Sequence, residues 1–301
     1  MNREQKTLIV ITGPTGVGKT SAAIDMAERL GCEIINADSR QIYRDIPIGT
    51  SAPTAEEQER VRHHFVGIKN LEEYYSAAEF ESDVLRLLEG NLWHRGDYAV
   101  MCGGSMLYVD AVCKGIDELP TISDAVRSAV AKKWHEEGAE ALLEELRRLD
   151  ADYYEQVDRQ NMKRVAHAVE ICREAGRPYS TLRTGRAKTR DFRIVKMGLN
   201  LPREELFCRI NHRVDTMLEA GLEAEARAVY HLRHLNSLNT VGFKEMFAYF
   251  EGKMDYVTAC ERIKKNTRVY AKKQLTWYAK DAEIEWCAPD ELGDAMMRRL
   301  G

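Results

Sequence analysis

An α/β fold, a parallel-sheet core with an inserted all-helical domain, is predicted by three features of this 301-residue sequence. The octapeptide Gly13-Pro-Thr-Gly-Val-Gly-Lys-Thr20 fits G-x-x-x-x-G-K-[ST], a phosphate-binding P-loop. Apolar β-branched runs alternate with helical patterns through the first third, the mark of a parallel sheet covered by helices. A charged block without strands then runs from about 119, and another apolar run follows it at 194–201. A strand that returns after a helical block makes that block an insertion. The expected division is a core of 1–118 and 194–301 and a helical domain of 119–193.

The elements follow in order. Residues 8–11, Leu-Ile-Val-Ile, read as a buried strand, and 20–30 as a helix with Ala23, Ile24, Ala27 and Leu30 on one face and Gly31 as its stop. Residues 33–37 are a strand, 76–88 a helix, 98–102 a strand, and 105–112 the start of another helix. Within the insertion, 140–149 and 162–174 carry the strongest helical patterns. A basic stretch with Arg183, Arg186, Lys188, Arg190 and Arg193 leads into the strand at 194–201. Helices fill 203–279, and 283–286 is a late strand. In the helix of 255–279, Tyr256, Ile263, Tyr270 and Trp277 recur every seven residues as an apolar face. Lys264, Lys265, Arg268 and Lys272 share roughly the opposite arc. A lysine-rich arc reads either as a solvated face or as a polyanion-binding stripe.

Apolar residues are 44% and charged residues 31%, and the formal net charge is −4. That balance fits a soluble chain, and any nucleic-acid binding must use a local basic face. No apolar run approaches membrane-spanning length, and 1–6 leaves no room for a signal peptide ahead of the first strand. Seven cysteines without a C-x-x-C pair read as reduced, buried thiols of a cytoplasmic protein. The histidines lack H-x-x-x-H or H-E-x-x-H spacing, so no protein-built metal site is expected.

The chemistry starts at the P-loop. Its backbone N–H groups and the following helix N-terminus suit a di- or triphosphate, as in ATP-binding loops. Lys19 reaches the outer oxygens, and the Thr20 hydroxyl helps hold Mg²⁺. Asp38 follows the second strand, where a carboxylate can hold Mg²⁺ through water, act as a general base, or cap a helix. The third strand ends Met101-Cys-Gly-Gly-Ser105 with no carboxylate. That counts against a water-activating NTPase. Its glycines are either a close backbone approach to a ligand or a plain turn. His63-His64 reads as structural.

Together these residues resemble the tRNA dimethylallyltransferase (tRNA isopentenyltransferase) family along nearly the whole chain. The resemblance rests on ordered motifs: the P-loop, Asp38-Ser-Arg-Gln-Ile-Tyr43, Ile48-Gly-Thr50, His63-His64, Tyr75-Ser-Ala-Ala-Glu-Phe80 and Gly103-Gly-Ser-Met-Leu-Tyr108. Arg164 with Ala168-Val-Glu170, Arg209-Ile-Asn-His-Arg213, Val241-Gly-Phe-Lys-Glu245 and Thr267-Arg-Val-Tyr-Ala-Lys-Lys-Gln-Leu-Thr-Trp277 follow. It implies a P-loop nucleotide-kinase-like core and a helical domain that grip the anticodon arm of tRNA. The implied reaction moves a dimethylallyl group from dimethylallyl diphosphate to the exocyclic amine of the adenosine 3′ of the anticodon. By resemblance Asp38 is the base. Thr20 and Arg213 meet the diphosphate together with Gly13, Pro14, Thr15, Gly16, Val17, Gly18 and Lys19. Ser39, Arg40, Gln41, Ser105 and Arg127 surround the target base. Lys163, Arg164 and His167 contact tRNA from the insertion. The resemblance also implies Mg²⁺ as cofactor and a cytoplasmic monomer of bacterial type, without the C-terminal Cys/His zinc extension of eukaryotic relatives.

Three positions depart from the family pattern. Gly49-Thr-Ser-Ala-Pro53 has Ala52 in place of a common lysine, His167 replaces an arginine, and Ser105 replaces threonine. Three rival readings remain: a small-molecule or nucleotide kinase, a prenyltransferase acting on free adenine nucleotides, and a non-catalytic RNA-binding P-loop protein.

Overall fold

The structure, a computed structural model, describes residues 6–300; the signal-peptide expectation falls mainly on residues 1–5, outside the described residues. The chain forms two compact units. The first runs through Cys113 and resumes at Thr189, and the second is Lys114–Lys188.

The first unit is built on six parallel strands: β1 (Thr7–Thr12), β2 (Ile34–Asn36), β3 (His63–His64), β4 (Tyr98–Cys102), β5 (Arg193–Leu199) and β6 (Glu285–Cys287), in the order β3-β2-β4-β1-β5-β6. β1 lies at the centre, so its apolar residues are buried on both faces. Leu8 and Val10 enter one core, while Ile9 and Ile11 enter the other. β5 pairs with β1 across the interval that holds the second unit.

The Lys19–Leu30 helix starts from Gly18 and ends at Gly31. Both glycines are left-handed, and the Gly31 N–H closes the last turn on Ala27 O and Glu28 O. The Ala77–Leu87 helix opens on a reciprocal cap between Ser76 and Glu79, then continues through one π-helical segment, Leu88–Leu92, to Arg95. β3 goes beyond the sequence expectation. It is two polar histidines, and it is a strand only because Ile34 and Ile35 offer it an edge. Cysteines 102, 113 and 172 are buried, but Cys208 is exposed and Cys32, Cys260 and Cys287 are half-buried, so the all-buried expectation fails.

The Tyr256–Tyr278 helix corrects the seven-residue face. Its buried residues are Ala259, Ile263, Ala271, Gln274 and Tyr278. Tyr256, Tyr270 and Trp277 are each 37% exposed. A straight helix drifts about 20° per heptad, so a strict seven-residue stripe walks off the contact line within three turns of the pattern. Trp277 instead donates from its indole N–H to Asp110 Oδ2 at 2.8 Å. Trp277→Ala should therefore cost about 1–2 kcal/mol in denaturant unfolding, from partial burial and one hydrogen bond, not the roughly 3–5 kcal/mol of a full core deletion.

The basic arc is also altered. Lys264 pairs with Asp215 at 2.7 Å and with Glu261 at 3.4 Å. Arg268 donates to Asn211 and lies over the Phe207 ring, as does Lys272. Partners on the Arg203–Glu219 helix thus take up charges that helical projection leaves in solvent.

The second unit is helical: Asp124–Glu137, Ala139–Leu149, Ala151–Gln156, Met162–Ala175 and Tyr179–Leu182. Val130, Leu142, Leu146, Tyr153, Val165 and Val169 form its core. Glu145 is buried but accepts from Arg173 at 2.6 and 2.8 Å and pairs with Lys133 at 2.8 Å, which holds its carboxyl below the usual range against the cost of burial.

Candidate active site

The P-loop lies at the carboxyl end of β1, the usual ligand edge of a parallel sheet. Gly13, Gly16 and Gly18 all take positive φ. Val17 anchors the loop in the core, and Lys19 Nζ donates back to Pro14 O at 2.8 Å. Burial pulls the Lys19 ammonium down to about 8; the Arg213 charge acts in the same direction and Asp38 opposes it. These three side chains therefore feel one another's charge in a single site.

Asp38 follows β2. Its Oδ1 accepts from Arg40 N at 2.8 Å and Gln41 N at 3.3 Å. The carboxylate caps a turn, and no helix follows, which removes the helix-cap alternative. Its Oδ2 has no hydrogen bond among the described residues. One oxygen holds the loop while the other stays available to a proton or ligand.

β4 brings Gly103-Gly104 alongside. A Cβ on Gly103 would overlap Ala37 O, and one on Gly104 would overlap the Gln274 side-chain amide and lie 3.7 Å from Lys19 Nζ. Both glycines are required by packing against the protein's own Ala37 backbone and Gln274 side chain. Ser105 Oγ accepts from Ser39 N at 2.8 Å and donates to Ser39 Oγ at 3.1 Å.

The other expected base contacts are committed to backbone. Arg40 Nη1 donates to Asn236 O and Ser237 O at 2.9 and 3.0 Å. Gln41 Nε2 donates to Thr50 O and Ser51 O at 3.0 and 2.9 Å. Arg213 comes from the Arg203–Glu219 helix; its Nε donates to Ser51 Oγ at 2.9 Å and its Nη2 to Thr50 O at 3.4 Å. Burial pushes its pKa down, and Asp38 pulls the other way.

Gln274 has a role that the sequence pattern does not reveal. It is 1% exposed, accepts from Thr15 N at 2.8 Å, and donates to Gly104 O at 2.8 Å. The Tyr256–Tyr278 helix therefore docks on the P-loop. Glu225 is a second such residue. It accepts from Ile48 N and Gly49 N at 2.8 and 2.7 Å, and burial raises its pKa. A buried polar residue within a helical pattern signals such roles only once its partners are known.

In the second unit Lys163, Arg164 and His167 are exposed on one face of the Met162–Ala175 helix, opposite the buried Val165, Ala168 and Val169. Arg127 lies half-buried on the Asp124–Glu137 helix. Arg183 stacks on Tyr153 and Tyr179. In the first unit, Arg190 is buried against Glu81 at 2.7 Å and the Ala111 and Val112 carbonyls, so the basic stretch is partly structural. His64 pairs with Glu33 at 2.6 Å and His63 with Val61 O, and burial lowers the His63 pKa.

No group of three His, Cys, Asp or Glu among the described residues forms a metal cage. The half-buried Thr20 sits in the first turn of the Lys19–Leu30 helix beside Lys19. One hydroxyl and no cage suit Mg²⁺, which keeps waters and leans on substrate phosphates.

Comparison with known proteins decides the family. The IPP transferase family model matches residues 41–281. The chain belongs to the IPP transferase family. Among curated IPP transferase relatives, tRNA dimethylallyltransferase 2 of Parabacteroides distasonis is 54% identical over 285 residues, 95% of each chain. The same-named protein of Porphyromonas gingivalis is 53% identical over 290 residues, 96% of each. A solved tRNA isopentenylpyrophosphate transferase from Bacillus halodurans superposes with TM-score 0.67 at 36% identity, covering 94% of this chain and 90% of that one. A eukaryotic dimethylallyltransferase acting on tRNA gives TM-score 0.77 at 28% identity, covering 91% and 70%. The α/β fold of the IPP transferases is thus the fold of this chain.

Proposed function

We infer that this protein is a tRNA dimethylallyltransferase, transferring a dimethylallyl group from its diphosphate to the exocyclic amine of the adenosine 3′ of the anticodon. The observation that carries the reading is the site itself: a P-loop lysine and a half-buried arginine share it with one half-free carboxylate, and no carboxylate ends β4. That arrangement suits departure of a diphosphate, not activation of water.

The amine of adenine is a poor nucleophile, so the carbon–nitrogen bond forms as the allylic carbon–oxygen bond breaks. Lys19, Arg213 and the P-loop amides stabilise the charge gathering on the diphosphate. Asp38 Oδ2 takes the amine proton. Thr20 would hold Mg²⁺, which neutralises diphosphate charge when bound. Ser39, Arg40, Gln41 and Ser105 shape the pocket wall, Arg40 and Gln41 by bracing backbone. The target base must leave its stack to enter, at a cost of a few kcal/mol. The helical unit, through Arg127, Lys163, Arg164 and His167, and Lys265, Arg268 and Lys272 of the core take the anticodon arm. The protein acts as a cytoplasmic monomer; no described helix is long and apolar enough to cross a membrane. Incubation with dimethylallyl diphosphate, Mg²⁺ and either tRNA or AMP tests the reading: product on tRNA alone supports it, and product on AMP alone overturns it.

Two further results follow. Lys19 binds an anion in its charged form, and that form is lost as pH rises through about 8. Diphosphate affinity should therefore weaken above that pH. Binding there should take up a proton, because the bound anion raises the Lys19 pKa. Calorimetry in two buffers of different ionisation enthalpy reads this directly, and zero uptake at about pH 8.5, just above the Lys19 value of about 8, rejects it.

Neutralising Lys265, Arg268 and Lys272 should lower the magnitude of the log–log salt slope of tRNA binding by about 0.7–0.9 for each phosphate left unneutralised. Adding the Lys264 change should do little more, since Asp215 already holds that charge. Equal slopes for wild type and the triple variant would assign these residues to a solvated face.

A further inference from the structure

Ser51 stands out in the loop that carries Arg213's partners. It is one of two non-glycine residues with positive φ among those described, at 46°. A left-handed serine costs about 1 kcal/mol or more, and such outliers persist where the surroundings over-determine them. The surroundings here are specific. Glu225 takes the Ile48 and Gly49 amides. Gln41 takes the Thr50 and Ser51 carbonyls. The left-handed turn then presents the Ser51 hydroxyl to Arg213 Nε at 2.9 Å.

A guanidinium has five donors in a rigid plane, so fixing Nε fixes where the other edge points. Nη2 is drawn weakly to Thr50 O at 3.4 Å, and Nη1 has no hydrogen bond among the described residues. The Arg213 charge acts on Lys19 and the Asp38 charge acts on Arg213, so the guanidinium lies near the site those two residues form. Arg213 is half-buried, and the bond to Ser51 is the shorter of its two hydrogen bonds, so the hydroxyl is the main fixed acceptor that orients the plane.

We propose that Ser51 is a positioning residue for the diphosphate site: its strained left-handed turn and its hydroxyl aim the Arg213 guanidinium at the leaving group. The inference rests on the reading of Arg213 as a diphosphate contact. Ser51→Gly is the informative substitution, because glycine adopts this φ freely and only the hydroxyl is removed. A purely structural Ser51 would leave Ser51→Gly as stable as wild type, or more so, with binding intact.

The test is calorimetric binding of inorganic diphosphate with Mg²⁺ to wild type, Ser51→Gly, Ser51→Asn and Arg213→Ala, beside thermal unfolding and tRNA binding. Ser51→Gly should lose about tenfold in diphosphate affinity with no fall in Tm and tRNA affinity within about twofold. Ser51→Asn, which tolerates the turn and offers a carbonyl acceptor, should recover part of the loss. Wild-type affinity in Ser51→Gly together with loss in Arg213→Ala overturns the positioning role alone. Wild-type affinity in Arg213→Ala overturns the reading of Arg213, and the inference with it.

Discussion

Asp38→Asn should lower kcat by ~10²–10⁴ while diphosphate and tRNA dissociation constants stay close to wild type. Asparagine is the sharper replacement here. Its Oδ1 can still accept from Arg40 N and Gln41 N, so the turn that Asp38 builds survives. Only the basicity of the second oxygen is lost. Asp38→Ala removes both functions, and the difference between the two variants measures what the turn contributes. Single-turnover transfer to tRNA, read with pre-bound substrates, isolates the chemical step. A fall of less than tenfold in the asparagine variant would leave Asp38 with the turn alone.

Lys19→Ala should cost on the order of 10²–10³ in kcat, the scale of losing one charge-stabilising donor from a closed site. The diphosphate KM should rise with it, because the same ammonium meets the ground-state anion. Pro14 O, which now accepts from Lys19 at 2.8 Å, loses a partner at the rim of the loop, so some stability should go too. ATP should not be consumed by wild type or variant. Stoichiometric ADP formed with each turnover would favour a kinase and sink the transferase reading.

What is legible in the sequence is local and contiguous. The P-loop, its strand and its helix lie within Thr7–Thr12 and Lys19–Leu30 and their junction, and the apolar run of β1 declares its own burial. β4 and β5 announce themselves in the same way. What fails to show depends on partners distant in sequence. β3 is a strand by virtue of the edge of β2. Lys264 is neutralised by Asp215 from another helix, and no projection of one helix could reveal it. The face of the Tyr256–Tyr278 helix is misplaced by the seven-residue pattern because seven residues is not a whole number of turns. The same helix docks on the P-loop through Gln274, a contact no projection of one helix displays. The roles of Gln274 and Ser51 come from single hydrogen bonds to Thr15, Gly104 and Arg213, and side-chain type alone carries no trace of them.

The bond from Thr15 to Gln274 spans 259 residues, and it has a consequence for biosynthesis. The phosphate-binding motif leaves the ribosome well before the helix that braces it is made. At about 5–20 residues per second, roughly ten seconds to a minute separate the two. During that interval β1 also waits for β5, so the middle of the sheet lacks one neighbour. A nascent chain therefore carries the P-loop sequence without its finished anion cradle. A chain terminated before Gln274 should be recognised by a motif search and yet fail to hold diphosphate.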